Sequence, residues 1–267
     1  MSELRVSLLQ SELHWEDPAA NRRLLDSRMG MLDGSRTDLI VLPEMFATGF
    51  TMNAEAMAEP FDASPTLDWM RSQAQERGCT ITGSLAIADG GRRYNRLVWM
   101  TPEGVMTHYD KRHLFRMGDE PRHYAAGTRR QVVEIKGVRI LLSVCYDLRF
   151  PVWLRQQPGA GQPFEYDALL CVANWPAPRR HPWRTLLQAR AIENLSYVIG
   201  VNRVGEDGNG LPYAGDSMVV DFKGEPLADH PPGEAFVETV TISSDALKTF
   251  RDKFPAWQDA DTFHWGD

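Results

Sequence analysis

Runs of continuous apolar residues alternate along this chain with stretches whose apolar positions recur at helical spacing. Leu4–Leu9 reads as a strand. Ala19–Met31 follows with Leu24, Leu25 and Met31 apolar among the arginines at 22, 23 and 28, which is the pattern of a half-buried helix. Asp38–Leu42 is a near-continuous apolar strand that stops at Pro43-Glu44. Leu67–Arg77 has helical periodicity and Gly78 stands where a C-cap is expected. Thr80–Ala88 and Tyr94–Thr101 read as strands joined by the hairpin turn Asp89-Gly90-Gly91, and Pro102-Glu103-Gly104 turns back into Val105–Tyr109.

The second half has the same style. Val132–Ile135 and Val138–Val144 flank the hairpin Lys136-Gly137, and Ala168–Ala173 is a buried strand that ends at Asn174-Trp175. Trp183–Tyr197 is predicted as a helix, with Trp183, Leu186, Leu187, Ala191 and Leu195 inward and Arg184 and Glu193 outward. Val198–Val201, Ser217–Asp221 and Ala235–Ile242 complete the strands, and Ser244–Lys253 is a short helix with a serine cap. Strands this apolar are covered on their faces, so the chain is expected to be an α/β protein built in layers. Hairpins mixed with crossovers predict mixed sheets. No Gly/Ser/Pro-rich linker interrupts the pattern, which favours one domain over residues 1–267.

Composition narrows the picture. The chain has 267 residues, 43% apolar and 24% charged, as in an ordinary globular protein. Cysteines at 79, 145 and 171 are an odd set without a disulfide framework, so a reducing cytoplasm is expected. The first residues carry no basic stretch followed by an apolar one, which argues against a secretory signal. No run reaches the ~18 apolar residues that a membrane helix needs. The net charge is −7 with scattered basic residues, so nucleic acid has no electrostatic footprint here. His108 and His113 are five apart and Cys145 has no nearby cysteine partner, which argues against a zinc site, and no Gly-Lys-Ser/Thr follows the turn Gly208-Asn209-Gly210.

Candidate chemistry gathers at strand ends. Cys145 stands where the strand Val138–Val144 stops, and Asp147, Arg149 and Pro151 signal a change of direction straight after it. A thiol at such an exit shares its space with the following backbone N–H groups, the layout of a nucleophile with an oxyanion hole. A small buried hydrophobe is the ordinary reading of a lone free cysteine. Glu44 follows Leu39–Pro43 and Lys111 follows Val105–Asp110. Ligands collect at the carboxyl ends of strands in α/β sheets. There Glu44 can take a thiol proton, while Lys111 can hold an oxyanion and favour the thiolate. A Cys–His enzyme with His113 or His181 as base is a second arrangement, though neither histidine sits in a local signature of that class. Cys79 and Cys171 read as packing residues. Phe46 and Trp175 are candidate pocket walls or core aromatics, and Arg149 either binds a substrate carboxylate or pairs with Asp147.

Pro-Glu-Met-Phe (43–46), Asp-Lys-Arg-His-Leu (110–114) and Val-Cys-Tyr-Asp-Leu-Arg-Phe-Pro (144–151) resemble the three signature segments of the nitrilase superfamily of carbon–nitrogen hydrolases. Asn174-Trp175-Pro176, Ala189–Asn194, Asn202–Gly205 and Gly215-Asp216-Ser217 extend the resemblance in order from about residue 4 to residue 245. It implies an α-β-β-α sandwich that pairs into dimers or larger homo-oligomers. It makes Glu44 the general base, Lys111 the oxyanion-stabilising lysine and Cys145 the nucleophile, with the Tyr146 N–H as a second oxyanion donor. A further family glutamate maps to Glu120, with Asp119 beside it as the alternative.

Cys145–Pro151, with Leu114–Glu120 upstream, is most similar to the omega-amidase branch, which hydrolyses the terminal amide of short 2-oxo dicarboxylic monoamides such as 2-oxoglutaramate. Nitrile-hydrolysing members more commonly carry Cys-Trp-Glu, and Tyr146-Asp147 stand here instead. The resemblance therefore implies a cysteine amidase without metal or organic cofactor. A nitrilase, an amidase for N-carbamyl or other small amides, and a silent binding scaffold of the same fold are the alternatives. A tail over about 246–267, with aromatics at Phe254–Trp257 and Phe263–Trp265, is expected to contact a second subunit.

Overall fold

The computed structural model describes residues 3–32, 36–157 and 162–261. Six strands of the first sheet lie in the order Phe236–Ser243, Glu3–Gln10, Leu39–Val41, Thr80–Asp89, Arg92–Met100, Met106–Asp110. Glu3–Gln10, Leu39–Val41 and Thr80–Asp89 run parallel, and their outer neighbours on this path are antiparallel. The second sheet has the order Pro226–Asp229, Met218–Val220, Tyr197–Val201, Ala168–Val172, Val138–Val144, Val132–Ile135. Its middle three strands are parallel and its margins antiparallel.

Side-chain alternation explains how these sheets stack. Successive residues of a strand point to opposite faces. Leu4, Val6, Leu8, Leu39 and Val41 meet Ile140, Leu142, Leu170 and Ile199 of the second sheet in one core. Their neighbours Leu9, Ile40 and Leu42 face the other way, against Leu25 and Met29 of helix Pro18–Gly30 and Leu67 and Met70 of helix Pro65–Arg77. Trp183, Leu187 and Ala191 of helix Arg180–Asn194 join the core from the second sheet's side. The result is the layered α-β-β-α sandwich with two mixed sheets that the sequence predicts.

The turns follow from their residues. Gly78 caps helix Pro65–Arg77 in the left-handed conformation, at φ 62°. Lys136 and Gly137 both take positive φ in their two-residue hairpin, as the twist of paired strands requires.

The predicted helix Trp183–Tyr197 is present but begins and ends three residues earlier. It spans Arg180–Asn194, Leu195 turns left-handed at φ 47°, and Tyr197 already belongs to the next strand. Pro182 in the first turn does not stop it, because N–H groups there have no intrahelical acceptor to lose. Its inner face also holds polar groups. Buried Arg190 donates to the Leu148 carbonyl at 2.7 Å, and the Asn194 side chain accepts from the Gln156 N–H at 3.1 Å. Short helices at Ala54–Met57, Glu120–His123 and Pro151–Leu154 have no counterpart in the sequence pattern.

Met106–Asp110 is antiparallel to Arg92–Met100, which is antiparallel to Thr80–Asp89. It therefore runs in the direction of Leu39–Val41, so Glu44 and Lys111 leave the first sheet on the same side. Among the described residues no helix is long and apolar enough to cross a membrane. Phe263–Trp265 lie outside the described residues.

Candidate active site

Glu44 leaves its strand through Leu42-Pro43 and is fully buried, and Lys111 is fully buried where strand Met106–Asp110 ends. The Lys111 ammonium donates to Glu44 Oε1 at 2.9 Å and to Glu120 Oε2 and Oε1 at 2.9 and 3.1 Å. Asn95 bridges the same two carboxylates, with Nδ2 2.7 Å from Glu44 Oε1 and 3.2 Å from Glu120 Oε1. Glu44 Oε2 accepts the Asn174 backbone N–H at 2.7 Å. Glu120 Oε2 accepts the Phe115 N–H. The structure thus brings Glu120 to the lysine, whereas Asp119 is exposed and lies 3.6 Å from Arg122.

Cys145 opens the short 3-10 turn Cys145–Arg149 in the left-handed region, at φ 47°. Such a conformation costs a non-glycine residue about 1 kcal/mol and needs neighbours that hold it. The buried Asp147 carboxylate does so, accepting the Val144 N–H at 3.0 Å. The same carboxylate accepts the Tyr109 hydroxyl at 2.8 Å and the His113 N–H at 2.9 Å, and it lies 2.8 Å from His113 Nδ1. One buried acid therefore ties the nucleophile turn to the loop that follows Lys111.

Lys111 favours the Cys145 thiolate, as its charge predicts, but opposing influences are stronger. Burial pushes the Cys145 thiol well above its ordinary pKa, and the charge of the nearby Glu44 carboxylate adds to the effect. Lys111 pulls the other way and is outweighed. Burial would also push Lys111 down, but the Glu120 and Glu44 carboxylates together hold its ammonium well above the usual range. Burial raises the Glu120 carboxyl despite the opposing pull of Lys111. The resting site is thus a neutral thiol beside a carboxylate that can take its proton, with a fixed ammonium at hand.

Cys145 opens on a cavity of about 520 Å³ lined by Tyr146, Trp175, Phe50 and Phe115 among others. Tyr146 and Trp175 are both part of this cavity wall. Phe46 does not reach the cavity. It is fully buried in the core of the first sheet, tilted against Trp69 at 5.8 Å. A Cβ on Gly83 would come within 2.7 Å of its ring, so the missing side chain of Gly83 makes its seat. Phe50, four residues on, supplies the cavity wall.

The Cys–His arrangement finds no support in the geometry. The His113 ring bonds Asp147 and stacks on Phe150 at 3.8 Å, while His181 is exposed. The pairing of Arg149 with Asp147 is absent too, since Asp147 is engaged by His113 and Tyr109, and Arg149 lies over the Trp175 ring. Among the described residues no group of three or more His, Cys, Asp or Glu is arranged to hold a metal ion.

Asn95, Asn174 and Asp147 are the residues that strand-end reasoning passes over. Asn95 carries a signal in retrospect. It shares a face of its strand with Leu97 and Trp99, and a polar amide on a core face needs a buried partner.

Comparisons with known proteins agree with this geometry. A family model described as carbon-nitrogen hydrolase matches residues 5–252. The chain is 48% identical to omega-amidase YafV of Escherichia coli strain K12 over 263 residues, which cover 98% of this chain and 99% of that one. It is 30% identical to the 2-oxoglutaramate amidase of Bacillus subtilis strain 168 over 257 residues, 95% of this chain and 96% of that one. Among solved structures, XC1258 from Xanthomonas campestris, a CN-hydrolase superfamily protein with an arsenic adduct in its active site, superimposes with a TM-score of 0.95 at 48% identity, and all of both chains is covered.

Proposed function

The chain belongs to the carbon–nitrogen hydrolase family, and from that premise we propose that it hydrolyses the terminal amide of short 2-oxo dicarboxylic acid monoamides of the 2-oxoglutaramate type, through a cysteinyl thioester. The observation that carries this reading is near-full-length similarity to an omega-amidase and to a 2-oxoglutaramate amidase. The buried cluster at Cys145 supplies the means.

In this mechanism the Cys145 sulfur attacks the amide carbon as its proton passes to Glu44. The oxygen that gains the charge meets the Lys111 ammonium and the Tyr146 N–H. All three Lys111 donors are occupied in the resting site, so the ammonium exchanges one carboxylate contact for the oxyanion while Glu120 and Glu44 keep it in place. The C–N bond then breaks, Glu44 returns the proton to the departing nitrogen, and ammonia leaves a thioester on Cys145. Water attacks that thioester with Glu44 again taking a proton. The acid departs and the thiol is restored. These steps use only the chain's own side chains, backbone and water.

We place the reaction in the cytoplasm on the strength of three unpaired thiols, and we assign the enzyme a homodimer with the exposed aromatics of its tail at the contact.

Ammonia release from 2-oxoglutaramate, glutamine, asparagine, a simple aliphatic amide, an N-carbamyl amino acid and a nitrile tests the reading. The expected result is the highest kcat/KM on 2-oxoglutaramate and loss of that activity by at least about 10³-fold in Cys145→Ala. Preference for any other compound of the panel overturns the substrate assignment. A folded enzyme silent on all of them returns the scaffold alternative.

A further inference from the structure

Two arginines of the catalytic cavity have no counter-charge among the described residues. Arg149 closes the turn that starts at Cys145, and its guanidinium carbon lies 4.9 Å from the centre of the Trp175 ring. Arg179 comes from the segment after strand Ala168–Val172, and its guanidinium carbon lies 5.2 Å from the centre of the Phe115 ring. Both are half-buried and both line the cavity with Cys145. Among the described residues neither makes an ion pair or a side-chain hydrogen bond.

The nearby carboxylates are engaged elsewhere. Asp147 holds Val144, Tyr109 and His113. The two acids of the cavity wall are Glu16, which accepts from Thr51 and Asn53, and Asp207, which accepts from the Asn209 and Leu211 N–H groups and the Tyr213 hydroxyl. The next arginines along the chain behave differently. Arg180 pairs with Asp216 at 2.8 Å, and Arg184 reaches Asp229 at 2.6 Å. Both of the arginines that line the cavity are thus left without a charged partner among the described residues.

A guanidinium laid on an aromatic ring has one flat face covered, and its in-plane N–H donors stay available. That edge matches a carboxylate, which it can hold through two parallel hydrogen bonds. We propose that Arg149 and Arg179 are the specificity residues of this enzyme, jointly holding the carboxylate and adjoining 2-oxo group of the substrate while its far amide lies at Cys145. The assignment rests on the reaction proposed above and names what selects the substrate. An amide of equal length without the carboxylate leaves two half-buried cations of the cavity wall without a counter-charge, and a site built around a charged group discriminates strongly against analogues that lack it.

The test compares 2-oxoglutaramate with 4-oxopentanamide, which keeps the ketone and the amide and replaces the carboxylate with a methyl group. The quantity read is the ratio of their kcat/KM values in wild type, Arg149→Met, Arg179→Met and Arg149→Lys. The methionines keep apolar contact with the rings. Each is expected to lower the ratio about 100-fold, mainly through KM for the oxo acid, and inhibition by the product dicarboxylate weakens in parallel. Arg149→Lys restores the charge without the fork and recovers part of the loss. A ratio unmoved in both methionine variants overturns the arginine assignment and leaves the reaction standing, as does an equal loss on both amides, which marks a structural role. A wild type that does not prefer 2-oxoglutaramate overturns the reaction reading and this inference with it.

Discussion

Cys145 sits between opposed influences, and their balance fixes its resting state. Burial and the Glu44 carboxylate raise its pKa, and the Lys111 ammonium lowers it without prevailing. The thiolate of the free enzyme therefore forms only as pH rises well past neutrality. Labelling of Cys145 by a small neutral thiol reagent should accelerate steadily from pH 7 to beyond 9, without a plateau. In Glu44→Gln, which removes one raising charge, the rise should begin at lower pH although turnover is lost. A wild-type plateau near pH 7 would show a preformed thiolate and contradict this balance. At this scale the sequence carries the chemistry unevenly. Glu44, Lys111 and Cys145 are legible because each follows a readable apolar strand. Asn95 and Asn174 are not, because an asparagine acquires its role only from the carboxylate the fold brings to it. Phe46 and Phe50 are indistinguishable as residue types, and the seat beside Gly83 decides between them.

The elements are held by ion pairs as well as by apolar faces. Asp167 stands just before strand Ala168–Val172 and accepts from Arg139 Nε at 3.0 Å and Arg251 Nη1 at 2.7 Å, which anchors helix Ser244–Lys253 to the second sheet. Burial works to raise the Asp167 carboxyl, but hydrogen bonds and charge from Arg139, with the charge of Arg251, outweigh it and hold the pKa below the ordinary value. A carboxyl depressed in the folded state contributes stability above its unfolded pKa, near 4, and that contribution is lost as pH falls through the folded value. Asp167→Asn should cost about 2 kcal/mol at pH 7. Its Tm should also fall less than that of wild type between roughly pH 5 and pH 3, as read by thermal unfolding. Parallel falls would remove Asp167 from the acid response. Element boundaries were legible where a residue forces them, as at Gly78 and at the Lys136-Gly137 hairpin. The helix Arg180–Asn194 was displaced because its start lacks a side-chain cap and its inner face carries Arg190 and Asn194, which an apolar pattern cannot register.

At the scale of the whole molecule, strands apolar on both faces announce a layered α/β fold, since such strands must be covered from both sides. The pairing of one sheet on the other is less visible, because it depends on which alternate residues of each strand face inward. The tail adds a prediction about assembly. Phe254 is 55% exposed, although its ring also tilts against Phe250 at 5.9 Å, and Trp257 is 36% exposed with its ring edge against Phe164 at 5.8 Å. Sedimentation should give the mass of two chains for the full protein and of one chain after removal of residues 254–267. A dimer that survives the truncation takes the tail out of the interface. The central claim concerns Cys145, and mass spectrometry of the enzyme quenched during turnover of 2-oxoglutaramate tests it most directly. The account predicts an adduct of substrate less ammonia on the peptide that carries Cys145, with adduct and ammonia release both absent in Cys145→Ala. Ammonia release at the wild-type rate by Cys145→Ala would contradict it.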